Sequence, residues 1–289
     1  MKKIRFFAGA MAMALILSGC GSGTSGESGM HSTSSDLSAD TEVKPSQEEI
    51  SDEAAGLSEK DADTTAAGLL ETEAEAFDGI VSCNIGDTIT FGSYEQDNNT
   101  ENGAEAIEWI VLDTEGENAL LLSKYGLDAL AYNSSDEAVT WENCELRQWL
   151  NDTFYQAAFS ESQREVIIQV TNVNPDNERW GTSGGNDTKD FVFLLSIDEA
   201  ETYFSDRNET LWTQATLYAV ERGAYVADNG DSPWWLRSPG DHNEGGFCAA
   251  YVDYPPAGVV LSGYAAQRNS RVVRPALWVK TQSDSAGNE

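Results

Sequence analysis

Leu17-Ser18-Gly19-Cys20 is the stretch whose residue types and order point most directly to a covalent chemistry. Small residues there precede a cysteine that can be acylated and become a new amino terminus, as in a lipoprotein signal. Lys2, Lys3 and Arg5 supply the positive start of such a signal, and Phe6 to Leu17 is almost entirely apolar. That run falls short of the ~20 residues an ordinary spanning helix needs. Residues 1–20 are therefore expected to be a lipoprotein signal peptide with Cys20 as the lipidation site. Two or more acyl chains hold a protein stably where one is marginal. The expected location is extracytoplasmic, at the cell membrane and lipid-anchored without crossing it.

Other chemistries find less support. The histidines are His31 and His242, too few for a histidine-based metal cluster or a multi-histidine mechanism. Gly181-Thr182-Ser183-Gly184-Gly185 formally matches a nucleophile elbow, but neither a buried strand before it nor a clear helix after it is legible. Carboxylates are too numerous to single out an acid and a base. With Cys20 lipidated, Cys83, Cys144 and Cys248 remain, an odd number without a CxxC pair. One disulfide plus a thiol, or three thiols, would both fit. Asp228-Asn229-Gly230-Asp231 and the stretch Asp187 to Asp190 offer oxygens, yet neither completes a calcium loop. No catalytic residue, metal or cofactor is assigned, and an enzyme is not expected.

Binding is the better reading, and it centres on residues 234–279. Trp234-Trp235-Leu236-Arg237-Ser238-Pro239-Gly240 and Val272-Val273-Arg274-Pro275-Ala276-Leu277-Trp278-Val279 form a frame. Between them, short apolar segments at Ala249 to Val252 and Gly258 to Leu261 alternate with polar and aromatic residues. The candidate ligand-binding residues are Asp241, His242, Asn243, Tyr251, Asp253, Tyr254, Tyr264 and Asn269. Tyrosine offers a large rigid contact area at low entropic cost, so Tyr251, Tyr254 and Tyr264 are the expected anchors. Adjacent strand residues face opposite ways, which puts one of Trp234 and Trp235 in the core and the other near the binding loops. Trp278 is expected in the core. Arg237 and Arg274 are expected to pair with buried or partly buried carboxylates.

These residues need a scaffold. Residues 21–80 carry 15 Asp and Glu against two Lys, and no aromatic before Phe77, so they are expected to be a disordered, self-repelling tether. Residues 81–289 hold 34 acidic and 12 basic residues, a net −22 that repels nucleic acid phosphates. Nucleic acid is therefore not an expected partner; the membrane, through the anchor, and a protein or glycan ligand are. Strand patterns at 87–94, 107–113 and 119–124 form an N-terminal meander, the latter two joined by a turn containing Gly116. A helical pattern over 141–159 has Thr140 as a start signal and a break at Asn151-Asp152, and a further turn starts at Ser160. Strand patterns follow at 166–173 and 191–196, a helix capped by Ser196 with Glu199 in the capping box, and a helix over 213–223. Strands, then short helices, then a loop-rich C-terminal sheet indicate an α+β fold.

Gly86-Asp87, Ile89-Thr90-Phe91-Gly92, the Trp109 strand, Leu146-Arg147-Gln148-Trp149-Leu150-Asn151, Trp234 to Gly240 and Val273-Arg274-Pro275-Ala276-Leu277 occur in an order that resembles an uncharacterised bacterial domain family of secreted proteins and lipoproteins. The resemblance covers residues 81–280 and leaves 281–289 as a flexible tail. It implies a C-type-lectin-like mixed fold, with first and last strands close together and a loop-rich recognition segment. It also implies kinship with retroelement-diversified variable proteins, in which asparagine-type codons are rewritten to Asp, His, Tyr and Ser. The competing expectation is a structural or assembly component of the envelope with a fixed partner.

Replacing the lipidated residue separates anchoring from folding. Cys20→Ala should abolish lipid labelling and release the protein from membranes under a high-salt wash, because residues 21–289 contain no second apolar run of spanning length. Retention of the variant in the membrane fraction would remove the basis of the anchor.

Overall fold

The computed structural model describes residues 80–205, 208–243 and 246–282. The signal with Cys20, the tether through residue 79 and residues 283–289 lie outside the described residues. Thirteen strands occur among the described residues, β1 (Ile80–Val81), β2 (Thr88–Tyr94), β3 (Glu105–Glu115), β4 (Asn118–Ser123), β5 (Asp128–Ala129), β6 (Ile167–Ile168), β7 (Val170–Asn172), β8 (Thr188–Asp190), β9 (Trp234–Asn243), β10 (Gly246–Asp253), β11 (Gly258–Ala265), β12 (Val272–Val273) and β13 (Ala276–Gln282). With short helices between them, the fold is a mixed α+β one.

The N-terminal meander forms because β3 carries apolar side chains on both faces, and both are covered: Ile107, Trp109 and Val111 are fully buried, Leu112 nearly so. Trp109 also donates its indole N–H to the carbonyl of Phe91 at 2.6 Å, fixing β2 against β3. Strands β3 and β4 join through a two-residue turn in which Gly116 takes φ 61°, a value only glycine adopts freely. β13 then adds to β4 in antiparallel register, with Leu277 opposite Leu121. On its other side β13 pairs with β6 and, in parallel, with β1, where Ile80 faces Thr281 and Val81 faces Gln282. Pairing thus extends one residue before and two residues after 81–280.

The predicted helix begins later than Thr140: Cys144 is the N-cap, its sulfur accepting from Arg147 N, and α1 covers Glu145–Trp149. The break at Asn151 is a π-helical turn, Leu150–Phe154, which continues directly into α2 (Tyr155–Ala158). That widened turn frees Asn151 to hold the next segment. Its Oδ1 accepts from Phe191 N and Val192 N, and its Nδ2 donates to Val192 O at 2.8 Å. Residues 191–196 are accordingly extended and largely buried but not a ladder strand; their one bridge is Phe193 to Ala276. Side chains satisfy the backbone that a strand would have paired. The pattern at 166–173 is split by a bend, so that β6 joins β13 and β7 joins β8. α3 (Glu161–Val166) and α4 (Ile197–Phe204) start on capping boxes, Ser160 with Gln163 and Ser196 with Glu199. Two further short helices, α5 (Asn208–Leu211) and α6 (Leu217–Glu221), lead to β9.

The second sheet runs β11-β10-β9-β12-β5. Both faces of β9 are covered, so Trp234 and Trp235 are both fully buried, and Trp235 is not a binding-loop residue as expected. It packs edge-on against Tyr132 and donates to Leu130 O. Trp278 is partly exposed, since it sits in a strand with one face toward solvent. Arg237 meets its expected carboxylate: the buried guanidinium forms a two-pronged pair with Glu199 and also donates to Leu194 O at 2.8 Å. Arg274 does not. Fully buried, it donates to the carbonyls of Ser123, Thr210 and Leu211 and lies over the Trp234 ring, with no carboxylate partner among the described residues.

Asp190 is the most fully partnered buried carboxylate, accepting from Arg147 Nε at 2.6 Å, Trp141 Nε1 at 3.0 Å, Asn172 Nδ2 at 2.8 Å and Thr188 Oγ1 at 2.7 Å. Removing one member of a buried ion pair costs about 3–5 kcal/mol. Asp190→Ala should lower the urea midpoint by a corresponding amount at unchanged m-value. A loss under about 1 kcal/mol would mean that water replaces the carboxylate without penalty.

Candidate functional site

The residues expected to bind ligand lie on the β9–β10–β11 meander or just beyond it. The meander is strongly coiled, and glycine permits this at two places. A Cβ on Gly240 would stand 2.6 Å from Ser262 O, and one on Gly263, at φ +75°, would stand 2.4 Å from Ala249 O. The backbones of β9 and β11 therefore approach one another across β10, whose register slips around Ala249. Asn177 locks the approach by donating to both Pro239 O, at 2.8 Å, and Leu261 O, at 2.9 Å. Asn177 reaches there from a tight loop between β7 and β8, closed by its own bridge to Thr182. That loop contains Gly181 to Gly185.

Coiling divides the eight residues among separate places. His242 pairs with Phe247 at the β9–β10 end, its ring edge-on to the phenyl at 6.4 Å. Both border a cavity of about 540 Å³ with Trp180, itself 40% exposed, and Thr140. Asp241 is half-buried close to Cys248, whose thiol is pushed up by burial and then by that carboxylate. Asn243 ends β9 opposite Gly246. Tyr254 lies at the opposite end of β10, on the order of 20 Å away at the usual strand rise.

Between the two ends, Tyr251 and Tyr264 hold a cation. The Arg271 guanidinium carbon lies 3.2 Å from the Tyr264 ring centre and 4.5 Å from that of Tyr251. Tyr251 is only 7% exposed and donates to Asp253 at 3.3 Å. Burial raises its phenol's pKa, against the lowering influence of Arg271. Tyr251 is thus mainly a packing residue rather than a free anchor, and Tyr264 is half-buried beside it.

Tyr254 has a different setting. It stacks on Tyr225, with ring centres 5.8 Å apart, and Tyr225 is 46% exposed. The adjoining chain exposes Val226 at 40%, and α6 exposes Leu217 at 66% and Val220 at 41%. Four of the seven large hydrophobics exposed among the described residues fall between 217 and 226, a density that marks contact surfaces. Asn269 belongs to this end, donating to Arg222 O at 2.9 Å, and Tyr225 N donates to Ser270 O at 3.0 Å.

Tyr225, Val226, Leu217 and Val220 were not legible as surface in the sequence, because apolar residues in a helical pattern are read as core. α6 is five residues long, too short for its period to identify the buried face, and Ala219 is what it buries. Cys83, Cys144 and Cys248 are all free, and burial pushes the Cys144 thiol up to about 12. Carboxylate oxygens of Glu95, Asp97 and Glu105 gather within 4.8 Å of one another, but they accept from the N–H groups of Asn99, Gln96 and Asp97 and so serve as turn acceptors.

A family model described as a domain of unknown function, DUF6273, matches residues 116–281. The chain belongs to the DUF6273 family. Neither the curated proteins nor the solved structures contain a significant match. The DUF6273 segment begins at the β3–β4 turn and ends in β13, so it holds the whole second sheet, while β1, β2 and β3 precede it.

The glycine contact supplies a test of the coiled meander. Gly263→Ala forces a side chain into a positive-φ position against the Ala249 carbonyl, and about 2 kcal/mol of destabilisation is expected. Chemical unfolding measures it. A neutral substitution would mean that β9 and β11 do not approach as described.

Proposed function

We propose that this DUF6273 protein is a lipid-anchored, extracytoplasmic recognition module with a C-type-lectin-like domain, and that it binds a protein partner through the end of the second sheet bearing Tyr254. The observation that carries the reading is the stacked Tyr225–Tyr254 pair, with exposed Leu217, Val220 and Val226 in the same stretch of chain as Tyr225. Aromatic side chains flanked by aliphatic ones are the usual centre of a protein interface, whereas a glycan surface would have fewer aliphatic groups and more converging polar ones. Glu221 and Asp228 are exposed next to the patch, and the net −22 over residues 81–289 adds to them, so the partner is expected to carry a basic rim.

The lectin-like reading draws support from the pairing of β1 with β13, which brings the ends of the domain together, and from the loop-rich second sheet. Codon-level diversification would have little freedom at Tyr251 and Tyr264, which clasp Arg271, and more at Tyr254 and Asn269. A fixed envelope partner would use the same face; uniform residues at 254 and 269 among closely related genomes would favour that alternative.

The test uses a photo-cross-linking residue in place of Tyr225 and, as control, in place of exposed Glu101. A discrete heavier species is expected from position 225 on cell envelopes and none from 101. Tyr225→Ser with Tyr254→Ser should lower capture by about tenfold or more with an unchanged melting temperature, as for central aromatic contacts. Equal cross-linking at both positions, or undiminished capture by the folded double variant, would place the recognition surface elsewhere.

A further inference from the structure

A cavity of about 490 Å³ lies where the loop between β7 and β8 meets the start of α4, with Ser238 of β9 and Leu261 of β11 on its wall. Its charge is one-sided. Asp176 and Glu178 line it from the loop and Asp198 and Glu201 from α4, against the single guanidinium of Arg179, a net −3 on the wall at neutral pH. Asp198 and Glu201 are three residues apart and so project from one face of the helix. None of the four carboxylates joins an ion pair among the described residues, and Asp176 accepts from a neutral donor, the Gly184 amide, at 2.9 Å. Arg179 is turned over the Trp180 ring, 5.5 Å from its centre. A cleft lined by one sign of charge concentrates ions of the other.

The wall also holds a nearly buried amide. Asn177 is 7% exposed, and its Nδ2 donates to Pro239 O and Leu261 O. Carbonyls only accept, so the amide cannot be turned round and its oxygen points away from both. No hydrogen bond among the described residues reaches that Oδ1, yet it is not one of the fully covered polar atoms that lack a partner. It therefore keeps open surface, and the cavity that Asn177 lines is where a donor can meet it. A polar group so nearly buried calls for that donor.

We propose that this cavity binds a small aliphatic diamine, one ammonium group donating to Asn177 Oδ1 and the loop carboxylates, the other to Asp198 and Glu201. Ammonium groups bring donors alone, which is what a wall of unpaired acceptors lacks. A bare metal ion fits less well, because the acids do not converge: the one trio of carboxylate oxygens within 4.8 Å of one another among the described residues is that of Glu95, Asp97 and Glu105, outside this cavity. Acids divided between a loop and a helix suit two charges held apart by a chain. Pro175, Ile197 and Leu261 offer apolar surface to the methylenes between them. None of these residues belongs to the Tyr225–Tyr254 face, so either site can fail alone.

The experiment follows the melting temperature of the full chain in detergent against increasing putrescine, the four-carbon diamine, with butylamine and with magnesium chloride at matched ionic strength as comparisons. Putrescine should raise the melting temperature in a saturable manner, following the linkage between ligand concentration and stability. It should bind about tenfold more tightly than butylamine, which carries one charge. Magnesium should give only the gradual change of charge screening. Asp198→Asn with Glu201→Gln keeps the side-chain shapes and removes both helix charges, and should weaken putrescine about tenfold; Glu201→Gln alone, which leaves the start of α4 untouched, should weaken it by a smaller factor. Glu165→Gln, at an exposed acid of α3, should leave the affinity unchanged. The proposal is overturned by a putrescine response that magnesium matches, by equal affinity for butylamine, or by a response that the α4 variants leave intact or that Glu165→Gln lowers as much as they do.

Discussion

The Arg237–Glu199 pair is the interaction on which the second sheet depends. Arg237 sits in the middle of β9, buried, and its guanidinium reaches Glu199 of α4, the carbonyls of Leu194 and Val173 and the side chain of Asn174. Glu199 meanwhile accepts from Ser196 N, so the carboxylate that neutralises Arg237 also starts the helix. One charged fork thus joins a strand, a helix start and the extended 191–196 segment. A buried pair of this kind adds little net stability over an apolar substitute, but it admits few alternative arrangements. With β9 fixed, Trp234 and Trp235 are both held in the core, and β10 and then β11 pair in turn along its free edge.

Much of this arrangement was legible in the residues. The β2–β3–β4 meander, the Ser196–Glu199 capping box and the Arg237 ion pair follow from alternation, capping chemistry and the cost of burying charge. What was not legible depended on distance along the chain. Nothing local indicates that Asn151 replaces a neighbouring strand for residues 191–192, so the pattern there predicts a ladder strand that does not form. Adjacency predicts that one of Trp234 and Trp235 leaves the core, but two-sided burial of β9 depends on what covers its second face, and both are buried. The general cost of burying charge predicts a carboxylate partner for Arg274, yet it is three carbonyls that accept from it.

The candidate surface shows the same division. Composition picked out Tyr254 and Asn269, which lie at the end where exposed apolar groups gather. It also picked out Tyr251, whose ring packs on Arg271 within the sheet. Tyrosine serves both purposes, and nothing in the residue types marks Tyr251 and Tyr264 as the pair that packs on Arg271. The partner side chains, Tyr225 and α6, come from a segment separated from Tyr254 by the whole of β9 and β10.

Hydroxyl-radical footprinting of the unmodified protein addresses the central claim most directly, with purified protein compared against protein in its native envelope. Oxidation of Leu217, Tyr225 and Tyr254 should fall several-fold in the envelope, while Trp180 at the far end of the meander should react equally in both. Equal reactivity of Tyr225 and Tyr254 in the two preparations, or protection confined to Trp180, would contradict the account.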